Sequence, residues 1–454
     1  MVAVTDSAPS PHHGLDGEVR EALAWLAASR ADTCFAIDRL PLDQMEGWRT
    51  DAAGNLRHVG GGFFSIEGMR VRHPSGQVSF WSQPVISQPE VGILGFLTRL
   101  TSDGVPEVLV QAKAEPGNVD FVQIGPTVQA TPSNYTRRHG GKATPYLDFF
   151  VMHSRGTLLA DSLQSEQGAR FLRKRNRNMI VATAEAVPLL PRFRWISVSA
   201  LRALLNYDNV VNMDARSVLS GFPYRWPCGE DDSPEDGATH RDLDIKRWLT
   251  DCRLGNDMTV ASADLRDLRG WVREDYEIRD RRRIYFSVIG LRAAISGREV
   301  DSWCQPVLAP RHEGVIAFMI NDTDRQVRVL VQAKREPGVR DGVEIAPTVQ
   351  TTPALYRALR RERPQFLKEL LSVAPSDVLW SATLSEEGGR FYRQQNRYMI
   401  VRANHLPAEE PAGFKWLSPK QLRGLATADN FVNVEARTLL SALYSLPCAG
   451  TPQS

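Results

Sequence analysis

Polar side chains suited to ligand binding and proton transfer recur at a fixed distance along this chain. Gln111 and Lys113 lie two residues apart in an apolar stretch, and the same pair returns as Gln332 and Lys334. Alternate residues of a strand share a face, so each glutamine should project beside its lysine. An amide among valines and leucines costs free energy unless it finds hydrogen-bond partners. Two interpretations of the glutamines stay open, a buried amide bonded to a neighbouring loop or a ligand contact, and the paired lysines favour a pocket wall.

Further polar positions are duplicated in the same order and supply candidates for an acid, a base and an anion site. They are Gln129 and Gln350, Thr131 and Thr352, Tyr135 and Tyr356, Glu166 and Glu386, Arg170 and Arg390, Asn176 and Asn396, and Arg177 and Arg397. Each has a purely structural alternative. The tyrosines could be core aromatics, the glutamates could favour a helix start, and each glutamate could pair with the arginine four residues later. The Asn-Arg pairs fit an anion site or a simple helix end.

The duplication extends over most of the chain. Nine of ten positions in 108–117 are identical in 329–338, and the spacing stays between 220 and 222 residues through later matches. Solenoid repeats are far shorter, about 20 to 50 residues, so the sequence predicts two whole domains. We place them at 18–228 and 243–448, joined by an acidic linker at 229–242 that lacks large apolar residues.

Hydrophobic periodicity and turn residues predict a mixed α+β class with mostly antiparallel sheets, present in duplicate. Each copy should open with a helix and continue through short strands to the most apolar one, which ends at Glu-Pro-Gly. Later helices are predicted at 132–138 and 353–361, at 166–174 and 386–394 with serine caps, and at 198–205 and 419–425. The Asp-Asn-x-Val-Asn segments at 208–212 and 429–433 are typical of turns.

Composition and absent motifs exclude several classes. The net charge is +2, from 55 basic and 53 acidic residues, so the protein has no strong overall positive field that would attract nucleic acid. Only eight of the basic residues are lysine. Arginine's planar fork suits diphosphate groups. The five scattered cysteines and the lack of an 18-residue apolar run predict a cytoplasmic protein with neither disulfide framework nor membrane segment. Phosphate-loop, dinucleotide, zinc-protease and nucleophile-elbow motifs are missing, which leaves acid-base chemistry without a cofactor or metal.

Four duplicated motifs resemble the NDP-hexose 2,3-dehydratase family. They are Leu-Val-Gln-Ala-Lys-x-Glu-Pro-Gly, Pro-Thr-Val-Gln-x-Thr-Pro-x-x-Tyr, Ser-Glu-x-Gly-x-Arg-Phe and Asn-Arg-x-Met-Ile-Val. The likeness runs from about residue 20 to about residue 448 and implies a Nudix-like fold in each half. The carboxylate box with which Nudix hydrolases bind magnesium is absent from 165–170 and 385–390, which makes diphosphate hydrolysis an unfavoured alternative.

The resemblance implies a dTDP-4-keto-6-deoxy-hexose substrate that loses the proton at carbon 3 and the hydroxyl at carbon 2. It also implies a homodimer and a downstream 3-ketoreductase that takes the unstable diketone. We expect the four arginines, Arg170, Arg177, Arg390 and Arg397, to bind the diphosphate. We expect the base among Glu166, Glu386, Tyr135 and Tyr356. The two copies differ close to these candidate residues: the first has His139 where the second has Arg360. A tandem nucleotide-sugar binding protein without catalysis remains the rival from another class.

Overall fold

The computed structural model describes residues 11–138, 140–152, 154–222, 238–298, 300–323, 326–359 and 361–446. Most of the predicted linker lies outside these ranges, as do His139 and Arg360.

The first repeat contains helices α1 to α5 and strands β1 to β12. The helices are α1 (Pro11–Ala31), α2 (Pro132–Tyr135), α3 (Asp148–Val151), α4 (Val198–Ala203) and α5 (Met213–Leu219). The strands are β1 (Phe35–Leu40), β2 (Trp48–Thr50), β3 (Leu56–His58), β4 (Ser65–Arg72), β5 (Phe80–Ser87), β6 (Gly92–Leu100), β7 (Pro106–Ala114), β8 (Val122–Gly125), β9 (Val128–Ala130), β10 (Thr157–Ser165), β11 (Arg175–Ala182) and β12 (Phe193–Ser197).

The second repeat follows the same order. Its helices are α6 (Asp242–Leu254), α7 (Pro353–Leu359), α8 (Leu367–Leu371), α9 (Pro419–Ala426) and α10 (Val434–Leu443). Its strands are β13 (Thr259–Ala263), β14 (Trp271–Arg273), β15 (Glu277–Asp280), β16 (Phe286–Ile295), β17 (Ser302–Pro310), β18 (Gly314–Asn321), β19 (Arg328–Arg335), β20 (Val343–Pro347), β21 (Val349–Thr351), β22 (Val378–Ser385), β23 (Gln395–Arg402) and β24 (Phe414–Leu417).

Each repeat builds a large mixed sheet. The strand order is β10-β11-β6-β7-β12 in the first repeat and β22-β23-β18-β19-β24 in the second, with two short strands added to each. Only the pairs β11 with β6 and β23 with β18 run parallel in these sheets of the described chain. The predicted α+β class, the mostly antiparallel pairing and the tandem organisation are confirmed.

The small sheets exchange strands between the repeats. β1 of the first repeat pairs antiparallel with β16 of the second, from Phe35 opposite Ile295 to Leu40 opposite Gly290. In return, β13 of the second repeat pairs with β4 of the first. Each small sheet therefore contains one strand from the opposite repeat. One buried apolar cluster likewise includes residues from both repeats, and α5 packs against α10 within it.

The two Glu-Pro-Gly loops cross into the opposite repeat. Gly117 N donates to the carbonyl of Gly388 at 2.8 Å, and Gly338 N donates to Gly168 at 2.7 Å. A side chain cannot be accommodated at these glycines, because a Cβ on Gly117 would lie 1.7 Å from the carbonyl oxygen of Phe391. The loops that end the most apolar strands thus also fasten one repeat to the other.

The predicted helices at 166–174 and 386–394 are wrong, because both segments are loops in the structure. The backbone of the first segment bonds to other elements: Leu172 N donates to Ile86, and Arg173, at φ +54°, donates to Gly338. Hydrogen bonds to strand β5 and to the Glu-Pro-Gly loop of the other repeat therefore replace bonds that a helix would need. The expected ion pair between Glu166 and Arg170 is replaced too, since Arg170 stacks on Phe286 with 4.3 Å between guanidinium and ring centre.

Two further differences concern helices. The predicted helix at 132–138 ends already at Tyr135, and Arg137 adopts φ +55° soon afterwards. Helices α5 and α10 were not predicted, because the turn segments before them obscured their start. Asn212 Oδ1 accepts a hydrogen bond from Ala215 N at 2.8 Å and caps α5, and Asn433 caps α10 in the same way.

Candidate active site

A cavity of about 440 Å³ opens against the large sheet of the first repeat. This volume lies within the range of small-molecule sites. First-repeat residues from β7, β9, β11, α5 and the 166–174 loop form its inner wall, while the second repeat contributes residues around Trp303 and around Glu387. The strand exchange and the crossing loops therefore bring both repeats to one cavity.

Glu166, Lys174 and Asn176 form a buried polar group on the inner wall. Asn176 Nδ2 donates a hydrogen bond to Glu166 Oε1, and Lys174 Nζ donates to the carbonyl of Glu90 at 2.5 Å. Burial raises the pKa of Glu166 above its usual value, against the opposing effects of Lys174 and Arg437. Burial also lowers the pKa of Lys174 to about 8, with Glu166 as the main opposing charge. Among the described residues, Glu166 Oε2 has no hydrogen-bond partner.

Two more carboxyl groups line the same cavity, those of the buried Asp214 and the partly buried Glu387. Burial raises the pKa of Glu387 to about 8, although Arg390 acts in the opposite direction. Burial also raises the pKa of Asp214 well above its usual range, and the negative charges of Glu166 and Glu387 add to the effect. Glu387 Oε2 and Asp214 Oδ1 lack hydrogen-bond partners within the described chain. Buried carboxyl oxygens without partners are costly in a structural core and are typical of a site that binds a polar ligand.

The cavity lining also includes aromatic rings and a cation. The rings are Trp48, Phe63 and Phe64 from the first repeat and Trp303 from the second. The Arg390 guanidinium is partly buried and stacks on Phe64, with 4.0 Å between the guanidinium carbon and the ring centre. The cavity therefore combines proton-transfer groups with ring-stacking surfaces and a cation.

The equivalent residues of the second repeat are arranged differently. Glu386, the counterpart of Glu166, accepts hydrogen bonds from Asn396 at 2.6 Å, from Tyr398 at 2.9 Å and from Gln167 at 2.8 Å. Tyr398 occupies the position of Asn178, and Gln394 occupies that of Lys174. The second repeat thus has its glutamate bonded inside the protein and lacks the neighbouring lysine.

Comparison with known proteins identifies the family. The family model described as NDP-hexose 2,3-dehydratase matches residues 19–222 and 242–443. The chain belongs to the NDP-hexose 2,3-dehydratase family. Relatives named dTDP-4-dehydro-6-deoxy-α-D-glucopyranose 2,3-dehydratase are each 40% identical to it. The one from Saccharopolyspora spinosa covers 98% of this chain and 95% of its own length, that from Streptomyces violaceoruber 94% and 97%, and that from Amycolatopsis orientalis 95% and 91%. The family predicted from the duplicated motifs is confirmed.

In this family member, the cavity brings together six of the predicted site residues. They are Lys113, Gln129, Thr131, Glu166, Asn176 and Arg390. Lys113 Nζ donates to the carbonyl of Gln129 at 3.2 Å, and Gln129 Nε2 donates to Glu115 Oε1 at 2.7 Å. These contacts place the predicted lysine and glutamine of the first repeat on one wall.

Other predicted residues lie elsewhere. Arg177 forms an ion pair with Asp161 at 2.6 Å, and Gln332 donates to the carbonyl of Pro347 at 2.8 Å, as a structural amide would. Tyr135 packs beside an apolar cluster. The remaining predicted residues are described by the structure but do not line the cavity: Gln111, Tyr356, Arg170, Arg397, Lys334, Gln350, Thr352, Glu386 and Asn396.

Several cavity residues were missed at the sequence level, chiefly Lys174, Asp214, Glu387 and Trp303. For two of them the sequence did carry a signal, because the two copies differ at these positions. Lys174 is equivalent to Gln394, and Glu387 is equivalent to Gln167. Among the described residues, no group of three or more His, Cys, Asp or Glu side chains is arranged to hold a metal ion. No helix of the described ranges is both long and apolar enough to cross a bilayer.

Proposed function

We propose that the chain is a hydro-lyase that removes water from carbons 2 and 3 of a dTDP-4-keto-6-deoxy-hexose, with the first-repeat cavity as its active site. The names of the relatives, which are 40% identical over nearly the full chain, support the reaction and the substrate. The observation that favours this cavity is its pair of acids, Glu166 and Glu387, each with a buried carboxyl oxygen that lacks a partner within the described chain.

The first step is removal of the carbon-3 proton, which the carbon-4 ketone acidifies. Glu166 is the proposed base, because it lines the cavity, its Oε2 has no hydrogen-bond partner among the described residues, and the nearby Lys174 ammonium stabilises its ionised form. A carboxylate with a raised pKa is a stronger base than an exposed one. The negative charge that develops on the ketone oxygen requires a donor, and we assign that role to Lys113.

The second step is loss of the 2-hydroxyl, which needs a proton to leave as water. Glu387 is the proposed acid, because a carboxyl group with a pKa of about 8 is protonated at neutral pH. The carbon-2 to oxygen bond breaks and a carbon-2 to carbon-3 double bond forms. The resulting enol becomes the 3,4-diketone when carbon 2 gains a proton and the 3-hydroxyl loses one. The sequence is balanced without an oxidant or reductant, so no redox cofactor is required.

We assign the nucleotide part of the substrate to the aromatic and cationic residues of the cavity lining. Trp48 and Trp303 offer faces on which a thymine ring can stack. Arg390 is our choice for the diphosphate, because a guanidinium binds phosphate oxygens in pairs. Of the four arginines predicted for this role, Arg390 is the one that lines the cavity, and it comes from the second repeat.

The wider expectations complete the proposal. We infer a cytoplasmic homodimer with Nudix-like repeats at 18–228 and 243–448. We also infer a partner 3-ketoreductase, since a 3,4-diketo sugar nucleotide is reactive and must be reduced promptly. The tandem family matches at 19–222 and 242–443 support the domain boundaries, which leave the acidic segment between them as a linker.

The test uses the full chain, treated with EDTA and incubated with dTDP-4-keto-6-deoxyglucose in deuterated water. A 3-ketoreductase in the same tube traps the product for mass spectrometry. We expect loss of water with deuterium at carbon 2, and no such product from Glu166→Gln. Tight binding with unchanged substrate would instead indicate a non-catalytic binding protein. Magnesium-dependent release of thymidine monophosphate would indicate a hydrolase, and either result would overturn the proposal.

A further inference from the structure

Two arginines buried at the contact between the repeats have no role in the proposed chemistry. Arg216 lies on α5 and Arg437 on α10, and both side chains are almost fully buried, at 0% and 2% exposure. Burying a guanidinium is costly unless its donors are satisfied. Their hydrogen bonds therefore indicate what these arginines hold in place.

Arg437 reaches from the second repeat to the segment that contains the proposed base. Its Nη2 donates to the carbonyl of Ser165 at 2.7 Å, its Nη1 to the carbonyl of Val432 at 2.5 Å, and its Nε to Ser217 Oγ at 2.9 Å. Ser165 directly precedes Glu166 in the chain. A single planar group thus ties the backbone beside Glu166 to the start of α10 and to α5.

Arg216 makes the equivalent contacts in the opposite direction, from the first repeat to the second. Its Nη2 donates to the carbonyl of Ser385 at 2.6 Å and its Nη1 to the carbonyl of Val211 at 2.5 Å. Ser385 directly precedes Glu386, which is already bonded to Tyr398 and Asn396. The two arginines are therefore structurally equivalent, but they support glutamates in very different surroundings.

We propose that Arg437 is a positioning residue for the reaction: through the Ser165 carbonyl it fixes the Glu166 carboxylate at the substrate, whereas Arg216 supports the fold alone. The inference rests on the proposed function. It follows from the geometry because Glu166 lines the cavity, its Oε2 has no hydrogen-bond partner among the described residues, and Arg437 holds the carbonyl of the residue directly before it. The second repeat would then contribute to the chemistry of the first from the far side of the cavity wall.

The arginine charge also bears on the ionisation of Glu166. The groups that affect the pKa of Glu166 or respond to its charge are Lys174, Arg437, Asn176, Glu386, Asp214 and Glu387. Arg437 lowers this pKa, so its replacement by a neutral residue should raise it. Because the base must be ionised, the acidic limb of the kcat profile should then move to higher pH.

The experiment compares Arg437→Met with Arg216→Met in the full chain. If these two variants fail to fold, the more conservative pair Arg437→Lys and Arg216→Lys takes their place. Circular dichroism establishes folding. We expect either Arg437 variant to lower kcat about 10- to 100-fold with little change in KM, because misplacing a catalytic group affects the chemical step. The Arg216 variants should lower kcat less than about threefold. In Arg437→Met the acidic limb should shift upward.

If an Arg437 variant and the matching Arg216 variant lose kcat equally, the inference is overturned and both arginines are structural residues. A change in KM alone, or an unshifted acidic limb in Arg437→Met, would overturn it as well. Failure of the proposed function gives a different result, since the unaltered chain itself would then form no dehydrated product in the same assay.

Discussion

Replacing Lys174 with glutamine should make the protein more stable and less active. Glutamine is the residue at the equivalent position 394, so the repeat itself offers a side chain compatible with the site. The Lys174 side chain is 5% exposed, and burial lowers its pKa from 10.5 to about 8. The folded protein therefore bears the cost of a buried ammonium group at neutral pH.

The magnitude follows from linkage between protonation and folding. A pKa lowered from 10.5 to about 8 corresponds to about 3 kcal/mol of unfavourable free energy. Below pH 8 the full cost is present. Between pH 8 and 10.5 the unfolded state binds more protons, so the stability of the unaltered protein rises and the cost disappears. Glu166 loses a nearby cation in the variant, which offsets part of the gain. We expect Lys174→Gln to be about 1 to 3 kcal/mol more stable at pH 7, with the difference nearly gone by about pH 10.5.

The assay is urea unfolding at a series of pH values, with kcat measured on the same preparations. Activity should fall about 10- to 1,000-fold, because the proposed base would lose the cation that favours its ionised form. The exposed Lys368→Gln is the matched control for loss of one lysine charge, and its pH dependence should follow the unaltered chain. A variant less stable than the unaltered chain at pH 7, or a stability difference that stays constant up to pH 10, would refute the reasoning.

Four other predictions test the site and the fold. Glu166→Gln should lower kcat by about 100-fold or more while calorimetry still detects binding of dTDP-4-keto-6-deoxyglucose, and loss of binding would contradict the assigned role. The kcat of the unaltered chain should fall as pH rises through about 8, where Glu387 loses its proton, and a flat profile from pH 7 to 9 would exclude Glu387 as the acid. Glu387→Gln, which introduces the residue found at 167, should lower kcat at pH 7 without unfolding the protein, as circular dichroism can check. Residues 11–222 expressed alone should fail to fold stably and should recover structure when coexpressed with 238–446, and an independently folded fragment would contradict the role of strand exchange.

The family, the fold class and part of the site were predictable because they depend on local signals. Lys113 and Gln129 project from strands whose alternation and duplication are visible in the sequence, and they do line the cavity. The strand ends and the helix that begins after Thr131 were predictable from turn and cap residues.

The rest depends on contacts between segments far apart in the chain. The loop that contains Glu166 has the composition of a helix, and its true conformation is set by hydrogen bonds to Ile86 and Gly338. Glu387 and Trp303 reach the first-repeat cavity because the repeats cross, which no periodicity shows. The burial that alters the pKa of Lys174 and Glu387 is likewise a tertiary property, so their reactivity could not be derived from their positions in the sequence.

The reciprocal pairing of β1 with β16 and of β13 with β4 limits how this architecture can have arisen. A chain with a single repeat could reproduce this exchange only by pairing its strand with the small sheet of a second molecule. The simplest forerunner is therefore a domain-swapped dimer of single-repeat chains, whose two subunits later became covalently joined. After the fusion, one half could lose its own reactivity and still be retained, because it supplies a strand to the small sheet of the other half.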